Sequence, residues 1–291
     1  MTATALSVQL RWNADPVVIT ALVLGTAVYA RGLRELWRRG AGRGVSSAEA
    51  IAFFGGLLVV AAALLSPIDS LAASLFWAHM CQHMLLIVVA APLIVLGRPL
   101  LVMPRGLPPS WRRGLHGGRP GRNALPLAIA TWIVHTVVVW AWHLPAFFQA
   151  ALANPAVHAL EHAMFLATAL AFWWWLIDPA ARRSIGGGVA VAYAIAAGVQ
   201  GMILGSLMLF SEHPWYPAYA AGARGFGLTP LQDQQLAGLV MWIPPGIVYL
   251  VAAALLFLSY LRAVERDTLR SEARALSAAA SANGHVREAI G

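Results

Sequence analysis

Seven long apolar stretches divide the chain, and shorter segments rich in Pro, Gly or charged residues separate them. Each stretch is close to the roughly 20 residues that an α-helix needs to cross a bilayer. The pattern therefore predicts an all-α, polytopic membrane protein. Its seven predicted spans are residues 17–36, 48–65, 71–96, 124–142, 156–177, 189–210 and 235–261.

The segments outside these spans complete the predicted domain organisation. Residues 1–16 form a short polar tail on the outer side of the membrane, and residues 17–262 form the seven-helix transmembrane bundle. Residues 263–291 alternate Arg with acidic residues, a pattern typical of a solvated helix, and form a cytoplasmic tail.

The charge distribution gives the bundle an orientation. Hydrophobic residues make up 59% of the chain and charged residues 11%, a composition that excludes an ordinary soluble domain. All but two of the 20 arginines fall on one side of the predicted spans, the exceptions being Arg11 and Arg224. The positive-inside rule makes that side cytoplasmic, with the N-terminus outside and the C-terminus inside. The net charge of +8 thus indicates an anionic lipid surface as the partner and argues against nucleic acid.

Residues 79–84 read His-Met-Cys-Gln-His-Met and lie in the outer part of the third span. Residues four apart stack on one face of a helix, so His79 and His83 share a side. Met80 and Met84 lie within about 140° of His79 on the same helix, whereas Cys81 points away. Imidazole nitrogen together with thioether sulfur is a ligand set that soft to borderline metals prefer, copper above all. Lipid offers these polar groups no partner, so the motif predicts a metal site.

A second histidine pair, His158 and His162, opens the fifth span at the same predicted depth, and His143 closes the fourth span. Two such pairs at one depth coincide rarely by chance, so these imidazoles join the predicted ligands. His135 lies about 12 Å deeper than His143 and is interpreted as a packing residue. The candidates for orienting the ligands or lining the entrance are Glu161, Asp233, Met241 and His135.

Residues 158–162 read His-Ala-Leu-Glu-His and leave two other chemistries open. The pattern matches the H-x-x-E-H of one zinc protease class, so a membrane-embedded zinc hydrolase is an alternative. The pattern is short, no third carboxylate ligand is evident nearby, and Glu161 can equally orient an imidazole. A haem-binding membrane subunit is the other alternative, and haem would need one axial His from each of two helices.

Several motifs in a fixed order resemble those of one known family. They are HMCQHMLL at residues 79–86, LGRP at 96–99, WHLP at 142–145, HALEH at 158–162 and DQQ at 233–235. Over roughly residues 15–262 the chain resembles the CtaG family of bacterial cytochrome c oxidase assembly factors, the seven-helix membrane type. The resemblance implies a role in maturing a haem–copper oxidase by handling copper.

These features combine into one functional hypothesis. The chain is expected to be no enzyme, but to hold copper at an outward-facing site in the bacterial cytoplasmic membrane and to pass it to an oxidase subunit. The predicted ligands are His79, His83, His143, His158, His162, Met80 and Met84. A periplasmic copper donor and the lipid bilayer are further expected partners, a homodimer stays open, and zinc or haem are the alternative cofactors.

The arginine distribution makes a prediction about topology. A fluorescent protein that folds only in the cytoplasm is expected to be bright when it is fused to Gly291. Alkaline phosphatase, which is active only after export, is expected to be inactive at Gly291 and active when it is inserted after His213. A dark fluorescent fusion together with an active phosphatase at Gly291 would reverse the predicted orientation.

Overall fold

The computed structural model describes residues 11–38, 40–42, 44–112 and 124–290, with side chains described up to residue 276. This part of the chain is helical and contains no strand. Some predictions fall outside the described residues. They concern the tail residues 1–10, the cytoplasmic placement of Arg39, Arg43, Arg113, Arg119 and Arg122, and the C-terminal Gly291.

The described residues form a series of helices joined by short connections. In chain order they are α1 (Pro16–Trp37), α2 (Ser47–Leu65), α3 (Pro67–Ala72), α4 (Phe76–Met84), α5 (Ala91–Leu96), α6 (Pro99–Gly106), α7 (Pro109–Arg112), α8 (Leu125–Trp142), α9 (Pro145–Ala153), α10 (Pro155–Ile177), α11 (Pro179–Ile185), α12 (Gly187–Leu209), α13 (Ala220–Gly225) and α14 (Pro230–Ile290). A π-helical turn, Leu85–Ala90, joins α4 to α5, and a 3₁₀ turn, Pro217–Tyr219, precedes α13. Proline opens many of these helices, because its fixed φ angle and missing N–H suit the first helical position.

Among the described residues, seven helices are long and apolar enough to cross a membrane, which confirms the predicted all-α, seven-span architecture. The spans are α1, α2, the continuous segment Phe76–Leu96, α8, α10, α12 and the apolar part of α14. The third span begins at Phe76 and not at residue 71, because the separate helix α3 ends first at Ala72. The seventh begins at Pro230, and its helix continues through residue 262 without a break.

The third span is the most buried of the seven and lies in the middle of the described bundle. It packs against α2, α10 and α14, while α12 packs along α14. The π-helical turn leaves the carbonyl oxygen of Ile87 without a backbone donor. Ala91 N–H bonds to Leu86 O, and the next donor in this pattern would be Pro92, which has no N–H. The indole of Trp173 on α10 donates instead to Ile87 O at 2.9 Å, so this buried carbonyl is satisfied.

The start of the third span is capped from another helix. Its own N-cap residue, Leu75, supplies no side-chain hydrogen bond. Asp233, in the first turn of α14, accepts hydrogen bonds from the backbone N–H groups of Phe76 at 2.9 Å and Trp77 at 3.0 Å. A carboxylate suits this position, because the first N–H groups of a helix lack partners and carry partial positive charge. Asp233 therefore ties the start of the seventh span to the start of the third.

The opposite end of the third span is fixed by the LGRP motif. Tyr29 on α1 donates its hydroxyl to Gly97 O at 2.7 Å, and Arg98 pairs with Glu49 on α2 at 2.7 Å. A Cβ atom at Gly97 would lie 2.4 Å from the Cβ atom of Phe53, so only glycine fits there. The motif therefore has a structural reason, which is to anchor the third span against the first two.

The capping contact of Asp233 makes a stability prediction. Asp233→Ala is expected to lower the free energy of unfolding by about 1 kcal/mol, since loss of an N-cap side chain typically costs roughly 0.5–2 kcal/mol. Asp233→Asn keeps one acceptor oxygen and is expected to fall between wild type and Asp233→Ala. Thermal unfolding in detergent, followed by circular dichroism, measures the effect.

The matched control for this prediction is Asp267→Ala. Asp267 lies on the same helix but is exposed and pairs only with Arg270, one turn away. Exposed ion pairs contribute little to stability, so this change is expected to leave the melting temperature nearly unaltered. Equal melting temperatures for the two alanine variants would remove the capping role from Asp233.

Candidate metal centre

Five imidazoles from three spans converge at the predicted outer end of the bundle. His79 and His83 come from α4, His158 and His162 from α10, and His143 from the end of α8. The ring centroids lie 4.4 Å apart in the first pair and 4.3 Å apart in the second. Between helices, His79 lies 5.1 Å from His158, and His83 lies 5.3 Å from His162 and 5.7 Å from His143. The structure thus brings all five predicted histidines together.

Five of the ten ring nitrogens in this cluster are buried without a hydrogen-bond partner. The buried atoms without one are Nε2 of His79, His158 and His162, both ring nitrogens of His83, and both carboxylate oxygens of Glu161. Buried polar atoms in proteins are nearly always paired, and the bilayer core offers no water to pair them. A concentration of lone pairs without donors fits the binding of a cation that takes imidazole ligands.

Two sets of three ligand atoms lie close enough to share one ion. The ligand atoms of His79, His158 and His162 lie within 4.8 Å of one another, and so do those of His79, His83 and Glu161. His79 belongs to both sets. In the second set, Nε2 of His83 is 3.7 Å from Oε1 of Glu161. The cluster therefore offers an all-imidazole position and a neighbouring position that includes a carboxylate.

Tyr219 positions the imidazole of His79. Its hydroxyl oxygen lies 2.9 Å from Nδ1 of His79. When Nδ1–H donates to this oxygen, Nε2 keeps its lone pair and is free to bind a metal. Burial, with a smaller contribution from the charge of Glu161, raises the pKa of Tyr219 well above its ordinary value, so the phenol stays neutral. Tyr219 thus serves as an uncharged orienting group for one ligand.

His143 faces a sulfur atom. Its Nδ1 lies 2.6 Å from the carbonyl oxygen of Val139, and its Nε2 lies 3.4 Å from Sδ of Met80. Because a carbonyl oxygen only accepts, Nδ1 carries the proton and Nε2 carries a lone pair. Tyr216 donates its hydroxyl to the carbonyl oxygen of His143 at 2.5 Å and holds the end of α8 in place.

An aromatic layer packs over the cluster. Phe148 lies 5.1 Å from His79, 5.4 Å from Phe76 and 4.4 Å from Tyr216, measured between ring centroids. Phe76 also lies 5.4 Å from Tyr219. These rings come from α4, from α9 and from the segment between α12 and α14. The layer makes the surroundings of the ligands apolar, which strengthens electrostatic interactions inside the site.

His158 is the partly exposed member of the cluster, whereas the other four histidines are buried. The carboxylate of Asp69, on α3, is within electrostatic range of His158. It is held by hydrogen bonds from Gln82 Nε2 at 3.0 Å and Asn13 Nδ2 at 2.9 Å. A cation approaching the cluster from this side would therefore meet a fixed negative charge and a partly exposed imidazole first.

His135 and Asp233, two of the residues predicted to orient ligands or line the entrance, lie outside these sets. Nδ1 of His135 lies 2.9 Å from the hydroxyl oxygen of Thr168, and its ring stacks on Phe172. Both contacts agree with its interpretation as a packing residue. Both carboxylate oxygens of Asp233 are taken by the start of α4. Met84 and Met241 are buried in the apolar core. Cys81 is partly buried and free, and it stands in neither set.

Sequence reasoning missed the aromatic and polar groups that surround the ligands. Tyr216 and Tyr219 lie in the long segment between the sixth and seventh spans, where aromatic residues are typical of an interfacial belt. Asp69 belongs to none of the recognised motifs. Gln82 stands within the histidine motif, but its hydrogen bond to Asp69 was not predicted. Only the folding of these segments over the bundle brings them to the site.

A family model for cytochrome c oxidase caa3 assembly factors matches residues 27–263. The chain belongs to this family. The resemblance that the motifs carry is thereby confirmed, and the matched region contains every histidine of the cluster. No curated protein and no solved structure matches the chain in the corresponding comparisons.

In this cytochrome c oxidase assembly factor, the H-x-x-E-H motif does not act as one unit. His158 and His162 share their set with His79, whereas Glu161 groups with His79 and His83. The third residue grouped with the two histidines of this motif is therefore a histidine of α4, His79, and not a carboxylate. Glu161 is fully buried, whereas His158 is partly exposed.

The bond between Tyr219 and His79 makes a prediction for the assembly factor. Tyr219→Phe removes the group that orients His79, and outer partners of metal ligands typically contribute about 10- to 100-fold in affinity. We expect Zn²⁺ and copper affinities to fall by about that factor, as measured by competition with a chromophoric chelator. Tyr216→Phe is the matched control, because Tyr216 bonds to a backbone carbonyl and not to a ligand ring. Equal affinities in the two variants would contradict the orienting role.

Proposed function

We propose that this assembly factor binds copper at the histidine cluster and passes it to a cytochrome c oxidase subunit within the membrane. Copper is the cargo and not a resident cofactor. The observation that carries the proposal is the all-imidazole set, in which one ring nitrogen each of His79, His158 and His162 lies within 4.8 Å of the others. The Nε2 atom of each of these histidines is buried without a hydrogen-bond partner. Imidazole nitrogen suits copper, and the family gives the copper a destination in oxidase assembly.

The packing of the cluster favours a bare ion over haem. The rings of adjacent histidines lie between 4.3 and 5.7 Å apart. Phe165 lies 4.6 Å from His83, and Phe148 lies 5.1 Å from His79. A porphyrin needs a flat space around the iron and an axial ligand from each side. Side chains packed at van der Waals contact around the imidazoles support a small ion instead.

The arrangement also supports release of the ion. Transfer requires ligands that exchange, and His79 belongs to both three-ligand sets. An ion held by His79, His158 and His162 can therefore shift toward His83 while one ligand stays bound. Entrance past Asp69 and His158 is consistent with a copper donor on the periplasmic side of a bacterial cytoplasmic membrane, as the arginine distribution predicts.

A zinc hydrolase is the second candidate, because one observation favours it. His79 completes a three-histidine set with His158 and His162, which is a ligand number that catalytic zinc sites use. In such an enzyme Glu161 would be the general base for a metal-bound water. The assembly factor family favours a role without catalysis, and the position of Glu161 next to His83 fits an orienting group better.

Two sets of variants test copper transfer against hydrolysis. Glu161→Gln keeps the size of the side chain and one acceptor oxygen but removes the basic carboxylate. If Glu161 orients a ligand, the loss is expected to be about 10- to 100-fold in apparent copper affinity, and excess copper restores oxidase maturation. The double variant His158→Ala/His162→Ala loses two ligands, so copper is not expected to restore it. Oxidase activity in membranes, measured across a copper series, compares them.

Cys81→Ser is the control for nonspecific effects, because Cys81 stands in neither ligand set, and it is expected to behave as wild type. Protein level and bound metal are measured for each variant. General acid–base catalysis typically supplies about 100- to 10,000-fold in rate. Complete loss in Glu161→Gln that no copper concentration restores, with normal metal content, would therefore reject the carrier and favour the hydrolase.

A further inference from the structure

Met80 and His143 form a pair of ligand atoms beside the two three-ligand sets. Met80 lies on α4 between the turns that carry His79 and His83, and its side chain is fully buried. His143 lies at the end of α8 and belongs to neither set. Its Nε2 atom is 3.4 Å from Sδ of Met80. The pair therefore extends the cluster toward the fourth span and adds sulfur to it.

The two facing atoms are both acceptors. Nδ1 of His143 donates its proton to the carbonyl oxygen of Val139, so Nε2 of the neutral ring carries a lone pair. The thioether of Met80 has no proton to donate. In the part of the chain that the structure describes, neither atom has another hydrogen-bond partner. Two lone pairs that face each other in a buried site are unfavourable unless a cation binds both.

The separation of the two atoms suits one metal ion. With bonds of about 2.0 Å to nitrogen and about 2.3 Å to sulfur, a distance of 3.4 Å corresponds to a roughly tetrahedral angle at the metal. His83 is available as a third ligand, because its ring lies 5.7 Å from that of His143 and both of its nitrogens are buried without partners. One sulfur and two imidazoles make a soft ligand set.

We propose that Met80, His143 and His83 form a second metal position, which takes a soft monovalent ion such as Cu(I) and rejects Zn²⁺. The inference rests on the proposed copper function and deepens it. His83 connects the two positions, since its ring lies 5.3 Å from His162 of the all-imidazole set. Zn²⁺ is disfavoured at the second position, because the thioether of Met80 is a soft ligand. The ion moves as Cu(I) throughout, so the step transfers no electron.

X-ray absorption of the purified full chain tests the second position. Copper is added as Cu(I) under reducing conditions at two equivalents. The wild type is expected to show a sulfur scatterer near 2.3 Å from copper, about the length of a metal–sulfur bond. Met80→Leu is expected to lose it, and Met208→Leu, the matched control at an equally buried methionine on α12, is expected to keep it. Exchange of Met and Leu is usually tolerated in a packed core, so both variants are expected to insert.

Metal titrations give a second readout that does not depend on spectroscopy. Ag(I), a redox-inert probe for Cu(I), is expected to bind Met80→Leu at least about tenfold more weakly than wild type, the smallest effect typical of changes around a metal. Zn²⁺ affinity is expected to stay unchanged in Met80→Leu, which also shows that the variant is folded. His158→Ala/His162→Ala is expected to show the reverse, with Zn²⁺ affinity lost and Ag(I) binding retained.

The outcomes separate this inference from the proposed function. Copper bound to nitrogen alone in the wild type, or equal loss of sulfur in Met80→Leu and Met208→Leu, would reject the second position and leave a copper carrier with one imidazole site. Wild-type protein that binds neither Cu(I) nor Ag(I) would reject the proposed function and the second position together. Unchanged Ag(I) affinity in Met80→Leu would also reject the second position.

Discussion

The third span carries polar groups through the middle of an apolar bundle, and each of them needs a partner inside the protein. The bilayer core has no water, so an unpaired backbone group there costs several kcal/mol. Asp233 satisfies the start of this span, Trp173 satisfies the carbonyl of Ile87 that Pro92 leaves without a donor, and Tyr29 bonds to the motif at its end. These contacts tie the central span to the seventh, fifth and first spans. They fix the helix that presents the first histidine pair.

The histidine cluster differs from the rest of the third span, because its buried polar atoms mostly lack hydrogen-bond partners. This difference indicates a functional role for the cluster. The same helix that has its backbone satisfied from three neighbours carries His79 and His83, whose nitrogens mostly lack partners. The contrast lies within a few turns of one span. Polar groups that hold the fold together are paired, whereas those that face the imidazoles of α10 and α8 are left as lone pairs. Buried groups of this kind inside membranes mark paths for ions or protons.

Hydrophobic patterning was enough to predict the seven spans and the five histidines, because length, apolar runs and the i, i+4 spacing are local properties. The same information could not show which helix faces which. Met80 was predicted as a ligand from its own helix, but its contact with His143 depends on how α8 packs. The predicted start of the third span was wrong for a similar reason. The apolar run continues across the break before Phe76, and the residue that caps this helix, Asp233, lies far away in sequence.

In the proposed function, the order of the candidate ligands from the entrance inward favours a monovalent cargo. Exposure falls from the partly exposed His158 to the fully buried Met80, and the ligands change from imidazole to imidazole with thioether. The cost of burying an ion rises steeply with its charge, so a divalent ion is penalised more than Cu(I) at each step inward. A cation beside Glu161 favours the ionised form of its carboxyl group. One carboxylate neutralises the charge of one monovalent ion, whereas a divalent ion keeps an excess positive charge. Ligand softness and charge balance therefore select in the same direction.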